Sequence, residues 1–293
     1  MKLRIAAAVA VGVILIGFAA LPLAAPAEPF GVVSVLAGDM TTRGAVILVA
    51  VAFVTGIIAY FLSWPHGRQI GILAVPAGLS IWALRYGSMA DLVRVNSTSV
   101  QRLALFDALK WEPLFWLGIV AAGFGGVLMG QKLRAVPQPE KNRQESNSKS
   151  NKYLNIIIAL VGSVLIAQFC IRVFAQDVKM FDVRLGSVVA QPSVGQIVFA
   201  VLVSFGIAAF VVKEFLDVSY IWPVVSSALV TGFVIMIYIR QDVVQQLVER
   251  QPVVFFSNAV VSILPVQMVA FGTLGSIVGY WLAIRYNYLR KHA

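Results

Sequence analysis

The chain offers little to do chemistry with: two histidines, one cysteine and 13 carboxylates among 293 residues. His66 lies in the turn-like stretch Trp64-Pro65-His66-Gly67-Arg68, His292 in the basic tail and Cys170 inside an apolar run. A metal or thiolate centre needs several such ligands at short, regular spacing, and these three residues do not supply it. No HExxH, GxSxG or phosphate-cradling glycine loop occurs. His66 reads as a polar turn residue, and Lys213, Glu214 and Asp217 as a solvated helix end. Asp91, Asp107, Glu112, Asp177 and Asp182 fall between apolar runs and are spaced like ordinary loop charges. The sequence therefore assigns no catalytic residue, no cofactor-binding residue and no metal ligand. It predicts a protein that is not an enzyme and holds no cofactor.

The elements around these residues are set by composition. Hydrophobic residues make up 59% of the chain, charged residues only 12%, and mean hydropathy is +0.86. A soluble domain carries about twice that charged fraction. Eight apolar runs, at roughly 5–25, 44–63, 70–84, 113–130, 153–171, 196–212, 220–239 and 264–284, mostly suffice to cross a hydrocarbon core about 30 Å thick. Inside lipid each backbone amide must be bonded within its own segment, which makes these runs helices. A transmembrane barrel would show short alternating segments instead. The central portions of all eight lack Asp, Glu, Lys and Arg. That argues against a proton-coupled transporter, a voltage sensor or a buried carboxylate relay. The net charge of +10 reads as the basic flanks of membrane helices, so no nucleic-acid partner is expected.

Residues 50–61 read AVAFVTGIIAYF and residues 200–211 read AVLVSFGIAAFV. Laid together without a gap they share Ala50/Ala200, Val51/Val201, Gly56/Gly206, Ile57/Ile207 and Ala59/Ala209. Val11 and Gly12 fall on Val161 and Gly162 at the same offset, and Pro113 and Gly123 fall on Pro265 and Gly275 at 152. A nearly constant offset across four helices predicts a tandem duplication. The expected fold class is all-α: a polytopic membrane bundle of eight transmembrane helices, built as a tandem 4+4 parallel repeat. Its parts are a first repeat at 1–133, a polar linker at 134–152 too poor in apolar residues to bury a core, and a second repeat at 153–293. An even number of spans per half brings both halves in from the same side. The first run has Ala25 and Ala27 spaced for signal-peptide cleavage, yet it matches an internal helix at the duplication's own spacing. An uncleaved N-terminus is therefore predicted.

Lysine and arginine set the orientation. With the N-terminus cytoplasmic, the cytoplasmic segments hold Lys2, Arg4, Arg68, Lys132, Arg134, Lys141, Arg143, Lys149, Lys152, Lys213, Arg285, Arg290 and Lys291, in segments about half as long in total as the outer ones. Both termini and the linker are thus expected in the cytoplasm, and the short loops and basic tails suggest a bacterial plasma membrane. All six tryptophans fall near predicted helix ends, where an amphipathic ring prefers to lie.

Small residues carry the clearest pattern. Gly118, Ala122, Gly126 and Gly130 recur every four positions in the fourth helix, and Gly275 and Gly279 do so in the eighth beside Gly272 and Ser276. Such stripes let helix backbones approach closely where lipid supplies little hydrophobic drive. They predict a helix-packing seam, with helices four and eight near a pseudo-twofold axis or against a partner. Gln168 and Gln267 are placed at membrane depth, where a glutamine bonds a neighbouring helix. Pro76 is expected to kink the third helix. Residues 88–111 and 242–256 read as amphipathic pieces on the outer surface, with Met89, Leu92, Val95, Val100, Leu103, Phe106 and Leu109 apolar, opposite Asp91, Arg94, Arg102 and Lys110.

Two functions fit these features best, and a membrane enzyme using the outer-loop carboxylates Asp91, Asp107, Glu112, Asp177 and Asp182 ranks third. The first is a non-catalytic scaffold or accessory subunit of a membrane complex. Its partners would be the bilayer and either a membrane-protein partner or a second copy. The alternative is a permease or flippase for an uncharged or lipidic substrate, with a pathway between the halves lined by Ser204, Ser226, Ser227 and Thr231.

Overall fold

Runs that are apolar on every face have no use for a strand's alternation, and each becomes a helix that bonds its own backbone. A computed structural model describes residues 1–24, 31–35, 40–134, 149–176, 178–182, 186–238, 244, 247–248 and 255–292. Eight helices in it are long and apolar enough to cross a membrane, as an integral membrane protein requires. The cleavage-like Ala25 and Ala27, most of the linker, Asp177 and most of 242–254 lie outside the described residues.

The first span is α1 (Lys2–Gly12), which continues as a π-helical stretch over Val13–Ala19. The second, α2 (Thr42–Leu62), starts at Thr41, whose hydroxyl accepts a bond from the Gly44 amide and replaces a missing helical partner. The third is broken into α3 (Gly67–Ile70), a 3-10 turn over Gly71–Leu73 and α4 (Ala74–Arg85). Pro76 accounts for the break: it has no N–H for the Ile72 carbonyl and its ring crowds that oxygen. The irregularity thus falls in the turn before the proline, where a mid-helix kink was expected.

Two shorter helices follow, α5 (Met89–Val95) and α6 (Ser99–Leu109), opened by reciprocal capping boxes of Ser88 with Asp91 and Thr98 with Gln101. The fourth span is α7 (Glu112–Leu133) and the fifth α8 (Lys149–Phe174). Strands β1 (Lys179–Asp182) and β2 (Gly186–Ala190) precede α9 (Val194–Leu216) and α10 (Ile221–Tyr238). Then come β3 (Phe255–Phe256) and the last span, α11 (Pro265–His292). The strands form a small antiparallel sheet in the order β1-β2-β3, with Val189 opposite Phe256. The sequence reading had no sheet; these segments lie between spans, where backbone groups can pair across segments.

The most extensive helix pairs are α2 with α7 and α9 with α11. Next come α8 with α9, and α4 with α1 and its π-helical continuation. The last span also packs on α4, α7 and α10. The four long connections gather at one end of the bundle. Val32 lies against Gly87 at φ +68°, Ser34 bonds Glu112, Phe106 meets Tyr238, and Gln191 donates to the Ser262 carbonyl. At the opposite end two turns are short, at 63–66 and 217–220. There the Arg134 guanidinium sits 4.3 Å from the Trp64 ring, and Tyr60 donates its hydroxyl to the Arg134 carbonyl at 2.8 Å.

The tryptophans do not all form an interfacial belt. Trp82 and Trp116 are fully buried, edge to face at 6.2 Å. The Trp82 indole donates to the Gly17 carbonyl in the π-helical stretch, and the Trp116 indole donates to Glu112. A ring near a helix end turns inward when a carbonyl or carboxylate inside the bundle takes its N–H.

Candidate functional site

The glycine stripes sit at two crossings. In the first half a Cβ on Gly126 would collide with the Phe53 carbonyl, and one on Gly56 with the Gly123 carbonyl; on Gly130 it would press on the Tyr60 ring. In the second half a Cβ on Gly279 would collide with the Gly206 carbonyl and one on Gly275 with the Leu202 carbonyl. Gly272 faces Ser227 and Phe205, and Ser276 is buried with its hydroxyl on the Gly272 carbonyl. The stripes therefore serve α2 and α9. Contact between α7 and α11 themselves runs through an apolar cluster containing Val127 and Ile277.

Gly118 is exposed with nothing within 4 Å of its Cβ position, and Ala122 is only half-buried. A strict four-residue stripe drifts about 40° per step around a helix of 3.6 residues per turn, so 118 and 122 leave the face that 126 and 130 occupy. Gly123 completes that face. A further crossing had no stripe to announce it: Gly12 in α1 and Gly78 in α4 meet backbone to backbone. Neither has another glycine four residues away, and only their shared spatial level reveals them.

The four hydroxyl residues proposed for a pathway are all buried. Ser226 donates to the Pro223 carbonyl, Ser227 to Val224 and Thr231 to Ser227, each on its own helix. The Ser204 hydroxyl has no hydrogen-bond partner. Three of the four are thus turned onto α10. Gln267 is fully buried and joins the halves: its Nε2 donates to the Ala83 carbonyl of α4 at 3.0 Å, while its Oε1 accepts from the Leu264 amide. Gln168 is half-buried.

Charge is buried at the end that carries the long connections. Glu112, 1% exposed, opens α7. One carboxylate oxygen accepts from the Ser34 hydroxyl at 2.6 Å, the other from the Val35 amide and the Trp116 indole. Its position and that of Trp116, four residues on, put both on one helix face, a signal the sequence held. Arg102, expected on the solvent face of its amphipathic piece, is buried beside Tyr238, and its Nε donates to the Asn96 carbonyl at 3.1 Å. Val95 and Val100 point outward instead. The other acids act locally: Asp91 caps α5, Asp107 pairs with Lys110, and Asp182 is buried at the end of β1. Among the described residues no three His, Cys, Asp or Glu gather to hold a metal.

Among the described residues a recess opens on the outside of the bundle, a groove of about 460 Å³ at the α9–α11 crossing with an almost wholly apolar lining. Comparison with known proteins finds no matching family model, no similar curated protein and no similar solved structure.

Proposed function

We propose that the chain is a non-catalytic scaffold or accessory subunit of a membrane complex, set in a bacterial plasma membrane with both termini cytoplasmic. The observation that carries this reading is how the polar side chains at membrane depth are spent. Gln267 ties α11 to α4, Ser226, Ser227 and Thr231 bond their own helix, and glycines bring backbones into contact. Gln267 and the glycines hold helices together, and the three hydroxyls are taken up by their own helix. At the end with the long connections, Glu112 pins the 31–35 segment, and α5, α6 and the sheet offer exposed Val95, Val100, Trp111 and Phe181 to a membrane surface or a partner.

The tandem 4+4 repeat is part of the same proposal. Its support is that Gly56 meets Gly123 and Gly206 meets Gly275, pairs that correspond at the offsets of 150 and 152. The competing reading, a permease or flippase for a lipidic substrate, draws on the apolar groove. Purification of the tagged chain from its native membrane in mild detergent, with mass spectrometry of what accompanies it, separates the two. A stoichiometric protein partner is the expected result. A lone monomer that moves a labelled lipid between leaflets of reconstituted vesicles would overturn it.

A further inference from the structure

The groove at the α9–α11 crossing has glycine for its floor and large aliphatic walls. Gly206 lies at its base, Leu202, Val203 and Ile207 rise from α9, and Val278 and Leu282 rise from α11. Val278 is 45% exposed and Leu282 55%, so the opening faces outward, where lipid lies in a spanning chain. From Leu202 to Phe210 the groove follows α9 for about 12 Å at 1.5 Å per residue. That is close to one leaflet's share of a hydrocarbon core about 30 Å thick. At the end nearer the C-terminus Phe210 borders the recess, its ring edge to face with Tyr286 at 5.8 Å.

Charge marks the same end. Lys213 pairs with Asp217, and Arg290 with Glu214 at 3.7 Å. Arg285 stands one turn beyond Leu282, exposed and with no ion pair among the described residues. An apolar slot one leaflet deep with an unmatched guanidinium at its mouth is complementary to an amphiphile with one acyl chain to bury and a negative head.

We propose that the α9–α11 groove binds an anionic phospholipid of the leaflet on the side of the chain termini, with one acyl chain in the groove and the phosphate at Arg285. This requires a chain that spans a membrane but does not depend on the scaffold reading. The test uses the full chain in mild detergent, titrated with phosphatidylglycerol or phosphatidylcholine of identical acyl chains. Adducts are counted by native mass spectrometry and the unfolding temperature is followed. Wild type should retain phosphatidylglycerol about fivefold better, the gain of one basic side chain at an anionic surface. Arg285→Gln, outside the packed bundle, should lose that preference and keep its fold. Val278→Phe fills the groove from its exposed rim and should lose both adducts. Equal retention of the two lipids by wild type overturns the proposal. So does retention unchanged in both variants, or a dimer that Val278→Phe dissociates, which would make the groove a contact with a second copy. Recovery of a protein partner bears on the scaffold reading alone, so the two can fail separately.

Discussion

The α2–α7 and α9–α11 crossings both use glycine, at positions 150 to 152 residues apart, and differ in what they leave on their outer side. In the first, Gly56 touches the Gly123 carbonyl, and Tyr60 lies over Gly130 with its hydroxyl on the Arg134 carbonyl. The crossing is closed. In the second, Gly206 stands 3.6 Å from the Gly275 carbonyl at its Cβ position, and Phe210, 150 residues on from Tyr60, meets Tyr286 instead. Leu282, 152 residues on from Gly130, is a wall of the groove. Glycine thus lines both a closed crossing and one with a recess on its outer side, and the flanking side chains differ between them.

The largest effect tests what the crossings share. Gly126→Leu and Gly279→Leu each drive a branched side chain into a backbone carbonyl that cannot move without parting two helices. Overpacking of this kind costs about 1–3 kcal/mol and more where backbone must shift. Both variants should lose most folded yield in detergent, read by size-exclusion profile and thermal unfolding. A well-folded Gly279→Leu beside a lost Gly126→Leu would mean that the second crossing is held by other contacts.

The difference is sharpened by alanine at one glycine of each crossing. Gly56→Ala places its Cβ on the Gly123 carbonyl and should destabilise by about 1–3 kcal/mol. Gly206→Ala finds ordinary contact distance, and removing a helical glycine should make it neutral or slightly stabilising. Thermal unfolding of the two variants side by side reads the contrast directly. Equal losses would mean the second crossing is as tight as the first.

Much of this frame was legible in the sequence because lipid leaves the backbone one option. Continuous apolar runs became spans, and the recurring glycines at 126, 130, 275 and 279 became contacts. What stayed hidden depended on partners far apart in the chain. Glu112 looked like any loop acid until Ser34 and Val35 closed over it. Arg102 looked solvated until α10 came alongside, and Gly12 and Gly78 were unremarkable until α1 met α4. Trp82 and Trp116 obeyed the interfacial rule in position and broke it in direction, because Gly17 and Glu112 offered acceptors inside. The groove was the least legible, since its walls come from two helices far apart in the chain.

The smallest expected effect lies at Gly118. Ala270, 152 residues on, is fully buried where α11 is packed by α4, α7, α9 and α10, while α7 turns the stretch around Gly118 outward. Gly118→Leu meets nothing within 4 Å and should change stability in detergent by no more than about 0.5 kcal/mol. Its informative readout is therefore the native membrane. If lipid alone covers this face, a leucine is as acceptable there as glycine and any co-purifying partner is retained. If Gly118→Leu keeps its fold and loses a partner that wild type holds, the exposed end of the stripe is where that partner's backbone approaches. The two fourth spans would then differ by function: α11 closes the bundle from within, and α7 offers its outer face to another chain.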